Sequence, residues 1–255
     1  MDGRKYTCID GDNRYDIHNG FRGYLNADTA AEDDGDLTKL EQITEKLDEV
    51  MASDCEGFDV FVTGHSLGGA LATLYGFRLA ESRKFPVVNI ITYASPYVGT
   101  DGFRKVFRQA ELDGIVRHIR VSNTNDCIPV NPFYVSGFSH VGVNLALKKS
   151  GPVMNYEGEE NPSWPAAFVC FLVAVASLLV NFLSLFLGFL SALPTLPLPI
   201  SLLVAYSTVN TLLANHGFPE YRKRFETNLQ NAGFLSKTIE ELYENRLESI
   251  RREGA

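Results

Sequence analysis

Residues 58–75 read FDVFVTGHSLGGALATLY, and the reading of that stretch decides the fold. An apolar run containing the β-branched Val60, Val62 and Thr63 meets Gly64-His65-Ser66-Leu67-Gly68-Gly69, and the helix formers Ala70, Leu71, Ala72 and Leu74 follow. The order is strand, sharp turn, helix, the setting in which a G-x-S-x-G sequence lifts a nucleophilic serine to the tip of a strained turn. Gly64 and Gly68 flank Ser66, and the expectation is that a Cβ at either position would strike the neighbouring strand or helix. The helix that starts after Ser66 aims its first N–H groups and positive dipole end at the serine, so the backbone N–H of Leu67 is placed to receive a developing oxyanion. A phosphate-cradling loop fits less well. The glycine spacing matches neither the P-loop nor the dinucleotide fingerprint, and no lysine follows the glycines.

Outward from the turn, helical and extended segments alternate. On the N-terminal side, Leu37, Leu40, Ile43, Leu47 and Val50 recur at helical spacing, which predicts an amphipathic helix over 37–52 that packs on the sheet, with Asp36 as its cap. The acidic stretch at 28–36 before it reads as a solvated loop, because no histidine or regular ligand spacing accompanies its carboxylates. On the C-terminal side, a helix from 67 to about 82 ends near Lys84 and Pro86, and VVNIITYA at 87–94 has the continuous apolar character of a buried parallel strand. A helix over 101–112 and a strand over 115–121 come next. This alternation predicts a mostly parallel, doubly wound α/β sheet with functional residues at the C-terminal strand ends.

A chain of 255 residues with 45% apolar content suits one domain over residues 1–255. A net charge of -8 and the lack of any basic, aromatic-interleaved patch exclude nucleic acid as a partner. Cys8, Cys55, Cys127 and Cys170 are widely spaced and read as free thiols. Residues 1–16 are polar and lack the apolar core of a secretory signal, which leaves the compartment open.

Asp126 follows the 115–121 strand, inside Asn-Asp-Cys-Ile-Pro. A buried carboxylate there would accept the Nδ1–H of a histidine and stabilise the imidazolium formed when the serine proton is taken; the plainer reading is a turn aspartate. Two histidines compete for the base: His140 in Gly-Phe-Ser-His-Val-Gly and His216 in Asn-His-Gly-Phe-Pro-Glu-Tyr. Both follow Ser66 and Asp126 in the chain; His216 is the last histidine and stands in a loop before a helical segment. His65 beside the serine reads as packing or rim, and His118 as an ordinary strand residue.

Three blocks, IHNGFRGYL at 17–25, TGHSLGGALATL at 63–74 and NTNDCIPVNP at 123–132, together resemble the class 3 lipases, the fungal-lipase-like branch of the α/β-hydrolases. The resemblance implies an α/β-hydrolase fold and hydrolysis of carboxylic ester bonds of acylglycerols or glycerolipids without a metal or organic cofactor. In that reading Ser66 is the nucleophile, Asp126 orients the base, His216 in its H-x-x-x-x-Y block is the base, and Leu67 N–H is an oxyanion donor. His140 matches a segment that is structural in the family, and His18 belongs to an H-x-G-F block. Class 3 lipases carry a further upstream Arg-Gly-Ser/Thr segment that supplies a second oxyanion donor. Here Phe21-Arg22-Gly23 is followed by Tyr24 rather than a hydroxyl residue of that kind and lies one helix from Ser66, so it is assigned to the H-x-G-F block. The expectation is an N-terminally truncated form of the fold lacking the first strands, the lid and one oxyanion donor. That loss motivates a rival reading, a catalytically impaired, membrane-associated binding protein.

Between Glu160 and Glu220 the sequence has no Asp, Glu, Lys or Arg. Residues 166–193 are apolar and long enough to span a bilayer, Pro194, Pro197 and Pro199 interrupt the run, and 200–214 is a second, shorter apolar stretch. A single crossing would part His216 from Ser66 and Asp126. The expectation for 162–215 is therefore an apolar helical insertion, a hairpin or interfacial segment, that docks the protein on a membrane or lipid-droplet surface. Leu235, Ile239, Leu242, Leu247 and Ile250 mark a final amphipathic helix, expected on the surface or against a partner. The oligomeric state is not read from the sequence.

Overall fold

The computed structural model describes residues 5–10, 13–27, 37–52, 59–124, 126, 128–130, 137–148, 151–155, 214–231 and 239–253. Its larger sheet has the order β3-β4-β6-β8-β9, built from β3 (Val60–His65), β4 (Val88–Tyr93), β6 (Val116–Asn123), β8 (Val143–Lys148) and β9 (Gly151–Asn155). The first four strands run parallel and β9 is antiparallel to β8, which is the mostly parallel sheet that the alternating pattern predicts. In register, Val88 lies beside Val116 and His65 beside Tyr93, so the C-terminal ends of β3, β4 and β6 line up along one edge of the sheet.

Helices cover both faces. The helix α3 (Leu67–Glu81) and α4 (Asp101–Leu112) bring Leu74, Phe77, Phe103 and Phe107 onto Val88, Ile90 and Val116. On the opposite face, α5 (Phe218–Asn231) and α6 (Ile239–Glu253) bring Tyr221 and Tyr243 against Ile119, Val121, Val143 and Leu145. These two clusters sandwich the sheet, and their alternation along β6 follows from the two-residue side-chain period of a strand.

Four observations depart from the sequence reading. A second, antiparallel sheet of order β1-β2-β5-β7 contains β1 (Lys5–Asp10), β2 (Asn13–His18), β5 (Gly99–Thr100) and β7 (Phe138–Ser139). The polar N-terminal stretch, to which the sequence reading gave no element, thus contributes two antiparallel strands in which Asp10 pairs with Asn13. The helix α1 (Asn19–Leu25) contains Phe21-Arg22-Gly23, and His18 caps it by accepting the Phe21 N–H at 3.4 Å. The helix α2 (Lys39–Met51) is capped by Thr38 in a capping box with Glu41, and it has no buried residue: Leu47 and Met51 graze the first cluster while Ile43 is 47% exposed.

The fourth is α6, whose outer face is exposed as a surface helix's is but whose inner face carries buried polar residues that the sequence reading did not single out. Its Arg246 is 1% exposed and pairs with the buried Glu111 of α4 at 3.1 Å, and its Tyr243 hydroxyl accepts the His118 N–H and donates to Glu111 Oε1 at 2.6 Å. A charge is tolerated at that depth because it is paired and hydrogen-bonded. Of the apolar insertion expected at 162–215, only Ala214 and Asn215 fall among the described residues, as does none of the four cysteine side chains. Among the described residues no helix is long and apolar enough to cross a membrane.

Candidate active site

Ser66 sits between β3 and α3 with φ 58° and ψ -125°, a left-handed backbone that costs a non-glycine residue on the order of 1–3 kcal/mol and must be imposed by its surroundings. Its N–H is fixed on Tyr93 O at 2.9 Å, which ties the turn to the end of β4. The turn folds β3 back onto the first turn of α3 so closely that a Cβ on Gly64 would lie 2.1 Å from Gly68 O. A Cβ on Gly69 would lie 2.9 Å from Ser95 Cβ, whereas one on Gly68 would meet nothing within 4 Å. The expectation that both motif glycines are required by crowding therefore holds for Gly64 and is corrected for Gly68; the second crowded position is Gly69. Leu67 is the first residue of α3, so its N–H has no intrahelical acceptor, and its side chain is 44% exposed at the mouth of the turn.

Asp126 lies in the loop after β6 and is 3% exposed. Three donors converge on its carboxylate: Ile128 N–H on Oδ1 at 2.9 Å, the Tyr221 hydroxyl on Oδ2 at 2.8 Å, and His216 Nδ1–H on Oδ2 at 2.9 Å. The other ring nitrogen of His216, Nε2, stands 2.8 Å from Ser66 Oγ. With Nδ1 donating to the carboxylate, Nε2 is left as the acceptor for the serine hydroxyl, which fixes the tautomer that a general base requires. Ser66, His216 and Asp126 are thus brought into one hydrogen-bonded series, with residues 150 and 90 positions apart in sequence meeting at each link.

The loop carrying His216 is anchored on both sides of the ring. Asn123 Nδ2 donates to Asn215 O at 2.9 Å, Arg224 Nη2 donates to Asn215 Oδ1 at 2.7 Å, and His65 Nε2 donates to His216 O at 2.8 Å. Tyr221 links the two loops as well, since its hydroxyl accepts the Asn123 N–H at 2.9 Å while donating to Asp126. None of Tyr221, Asn123, Asn215 and Arg224 was singled out from the sequence. Tyr221 had a signal there as the last letter of the H-x-x-x-x-Y block, and Asn123 as the first residue of the 123–132 block.

The rival base, His140, stands elsewhere. It is buried, donates from Nε2 to Pro129 O at 2.7 Å and stacks on Tyr97 with ring centroids 3.9 Å apart. Burial, and then the positive charge of Arg120, hold its imidazole well below the ordinary histidine pKa. His118 is likewise buried, with Nε2 3.1 Å from Thr92 Oγ1, and burial followed by Arg120 and Arg246 keeps it well below the ordinary value. Among the described residues no group of three or more His, Cys, Asp or Glu side chains is placed to hold a metal ion.

A family model for lipase (class 3) matches residues 3–136, a span that includes Ser66 and Asp126 and ends before His216. The chain is similar to phospholipase A1-II 4 of Oryza sativa subsp. japonica, 33% identical over 148 residues that cover 54% of this chain and 36% of that protein. It is 38% identical over 135 residues to phospholipase A1-Igamma2, chloroplastic, of Arabidopsis thaliana, covering 44% of this chain and 24% of that one. It is also 33% identical over 101 residues to the secreted mono- and diacylglycerol lipase A of Penicillium cyclopium, covering 40% and 31%. The chain spans from about a quarter to about a third of the length of these curated relatives.

Proposed function

The chain belongs to the class 3 lipases, and from that premise we propose that it hydrolyses carboxylic ester bonds of glycerolipids, with Ser66, His216 and Asp126 as its catalytic residues. Ser66 Oγ attacks the acyl carbonyl carbon as its proton passes to His216 Nε2, and the carbonyl oxygen becomes an oxyanion received by the Leu67 N–H. Asp126, through Oδ2, holds the imidazole in its tautomer and stabilises the imidazolium. The imidazolium then protonates the departing alcohol, leaving the acyl group on Ser66 Oγ. Water then gives its proton to His216 and its hydroxyl to the acyl carbon, the bond from that carbon to Ser66 Oγ breaks as His216 returns the proton to Oγ, and the fatty acid leaves.

The observation that carries this reading is the series from Ser66 Oγ through the two nitrogens of His216 to Asp126, with contacts of 2.8 and 2.9 Å. The similarity to plant phospholipase A1 proteins and to a fungal mono- and diacylglycerol lipase favours phospholipids or acylglycerols as the esters. The place of action in this proposal is a membrane or lipid-droplet surface, supported by the uncharged run between Glu160 and Glu220. Flotation with liposomes, with and without residues 166–213, tests that part; equal recovery in the soluble fraction would remove it.

Labelling of the purified chain with a fluorophosphonate tests the chemistry. Ser66→Ala and His216→Ala should abolish labelling, and His140→Ala should retain it while losing stability by about 1–3 kcal/mol, the cost of a lost buried hydrogen bond. A folded chain that takes no label would overturn the hydrolase reading in favour of a lipase-like binding protein.

A further inference from the structure

The histidine inside the serine motif, His65, is the last residue of β3 and lies beside Tyr93 in the parallel pair with β4. Its Nε2 is 2.8 Å from His216 O. A carbonyl oxygen only accepts, so Nε2 carries the proton and donates it. The two imidazole rings stand with centroids 4.7 Å apart and planes inclined at 33°.

The acceptor is as informative as the donor. α5 closes its first turn on Gly217, whose carbonyl accepts the N–H groups of Glu220 and Tyr221 at 3.0 and 3.3 Å. His216 O therefore lies outside the helical ladder and is held by a side chain from across the site. The anchors on Asn215, from Asn123 and Arg224, fix the chain before the histidine. The bond from His65 fixes the peptide after it. Without the latter, the His216 carbonyl loses the bond that holds it from across the site, and the backbone that presents the imidazole to Ser66 Oγ is less constrained.

We infer that His65 is a positioning residue for the base: it pins the His216 carbonyl from one side while its ring borders the His216 ring, so that Nε2 of His216 stays aimed at Ser66 Oγ. The inference rests on the reading of His216 as the base. It also gives a physical reason for histidine at the variable position of this G-x-S-x-G, since that position is one residue from the nucleophile and within reach of the loop that must meet it.

The test compares His65→Leu, which removes the donor, with His65→Gln, whose amide nitrogen reaches about as far as Nε2, in the full 255-residue chain. Three quantities are read: the rate of fluorophosphonate labelling, the proton resonance of His216 Nδ1–H by NMR, and the melting temperature. The expected result is labelling slowed about tenfold in His65→Leu, within the range that a small misplacement of a reacting group costs, with the resonance broadened or shifted and the melting temperature little changed. His65→Gln should restore most of both the rate and the resonance. A His65→Leu protein with the parent's resonance overturns the inference, as does equal loss in the two variants, which would mark His65 as a packing residue only. Should the parent chain take no label, the hydrolase reading fails, and the resonance still decides whether His65 positions His216.

Discussion

The turn at residues 64–69 and the loop at 215–217 supply the two groups that meet at 2.8 Å, yet they are held in place by opposite means. The turn is shaped by its own neighbours: Gly64 packs on Gly68 backbone, Ser66 takes a positive φ, and α3 begins at the next residue. The loop makes its anchoring contacts with Asn123, Asp126 and His65, at separations of 92, 90 and 151 residues, and with Arg224 nine residues on. A nucleophile that must sit in a strained conformation is best enforced by contiguous backbone, because crowding leaves few alternatives. A base that must hold two hydrogen bonds at once is instead oriented by partners gathered from the sheet edge.

The sharpest way to break the comparison is Gly64→Ala. The added Cβ would stand 2.1 Å from Gly68 O and 2.4 Å from its carbonyl carbon, both backbone atoms that no side-chain rotation relieves. The expected cost is about 3 kcal/mol or more, with labelling of Ser66 lost alongside, read from denaturant unfolding and fluorophosphonate reaction of the same sample. A Gly64→Ala protein as stable as the parent would mean that the turn adapts, and that local crowding is not what holds Ser66.

The same contrast explains what was legible in the sequence. The elbow, the parallel strands around it and helices α3 and α4 were read closely because each is announced by a contiguous pattern: a strand run, a glycine pair, a helical repeat. Ser66, Asp126 and His216, named from motif, position and chain order, do come together. Tyr221, Asn123 and Arg224 were not seen, because a tyrosine or asparagine that bridges two loops carries no periodicity of its own. Arg246 was not singled out for a related reason: on α6 it looks like one more surface charge, and its pairing with the buried Glu111, 135 residues earlier, is not announced by any local pattern. The β1–β2 pair was missed although Tyr15 and Ile17 are buried on alternate positions of β2, since the polar residues around them masked the alternation.

A smaller effect is expected at Tyr221, the residue that most directly couples the Asp126 loop to the histidine loop. Tyr221→Phe keeps the ring in its cluster but removes the hydroxyl that donates to Asp126 Oδ2 and accepts from Asn123 N–H. One buried N–H is left without its partner and the carboxylate loses one of three donors. The expected outcome is a loss of about 1–2 kcal/mol in stability and labelling slowed about tenfold, a split between melting and reaction rate that a purely structural tyrosine would not produce. Labelling at the parent rate would show that Ile128 N–H and His216 suffice to hold Asp126.

The smallest effect is expected where the motif most suggested a large one. Gly68 is the second glycine of G-x-S-x-G, but a Cβ there has open space around it and the residue lies in the first turn of α3 with a negative φ. Alanine is favoured over glycine in a helix by about 0.5–1 kcal/mol, so Gly68→Ala should melt at the same temperature as the parent or slightly above it. The labelling rate of that variant then separates two origins of the glycine. Unchanged labelling means that the position is under no steric demand from the turn or the substrate. Slower labelling in an equally stable protein means that the open space beside Leu67 N–H is room for the ester itself, so that one glycine of the motif serves the backbone and the other serves the substrate.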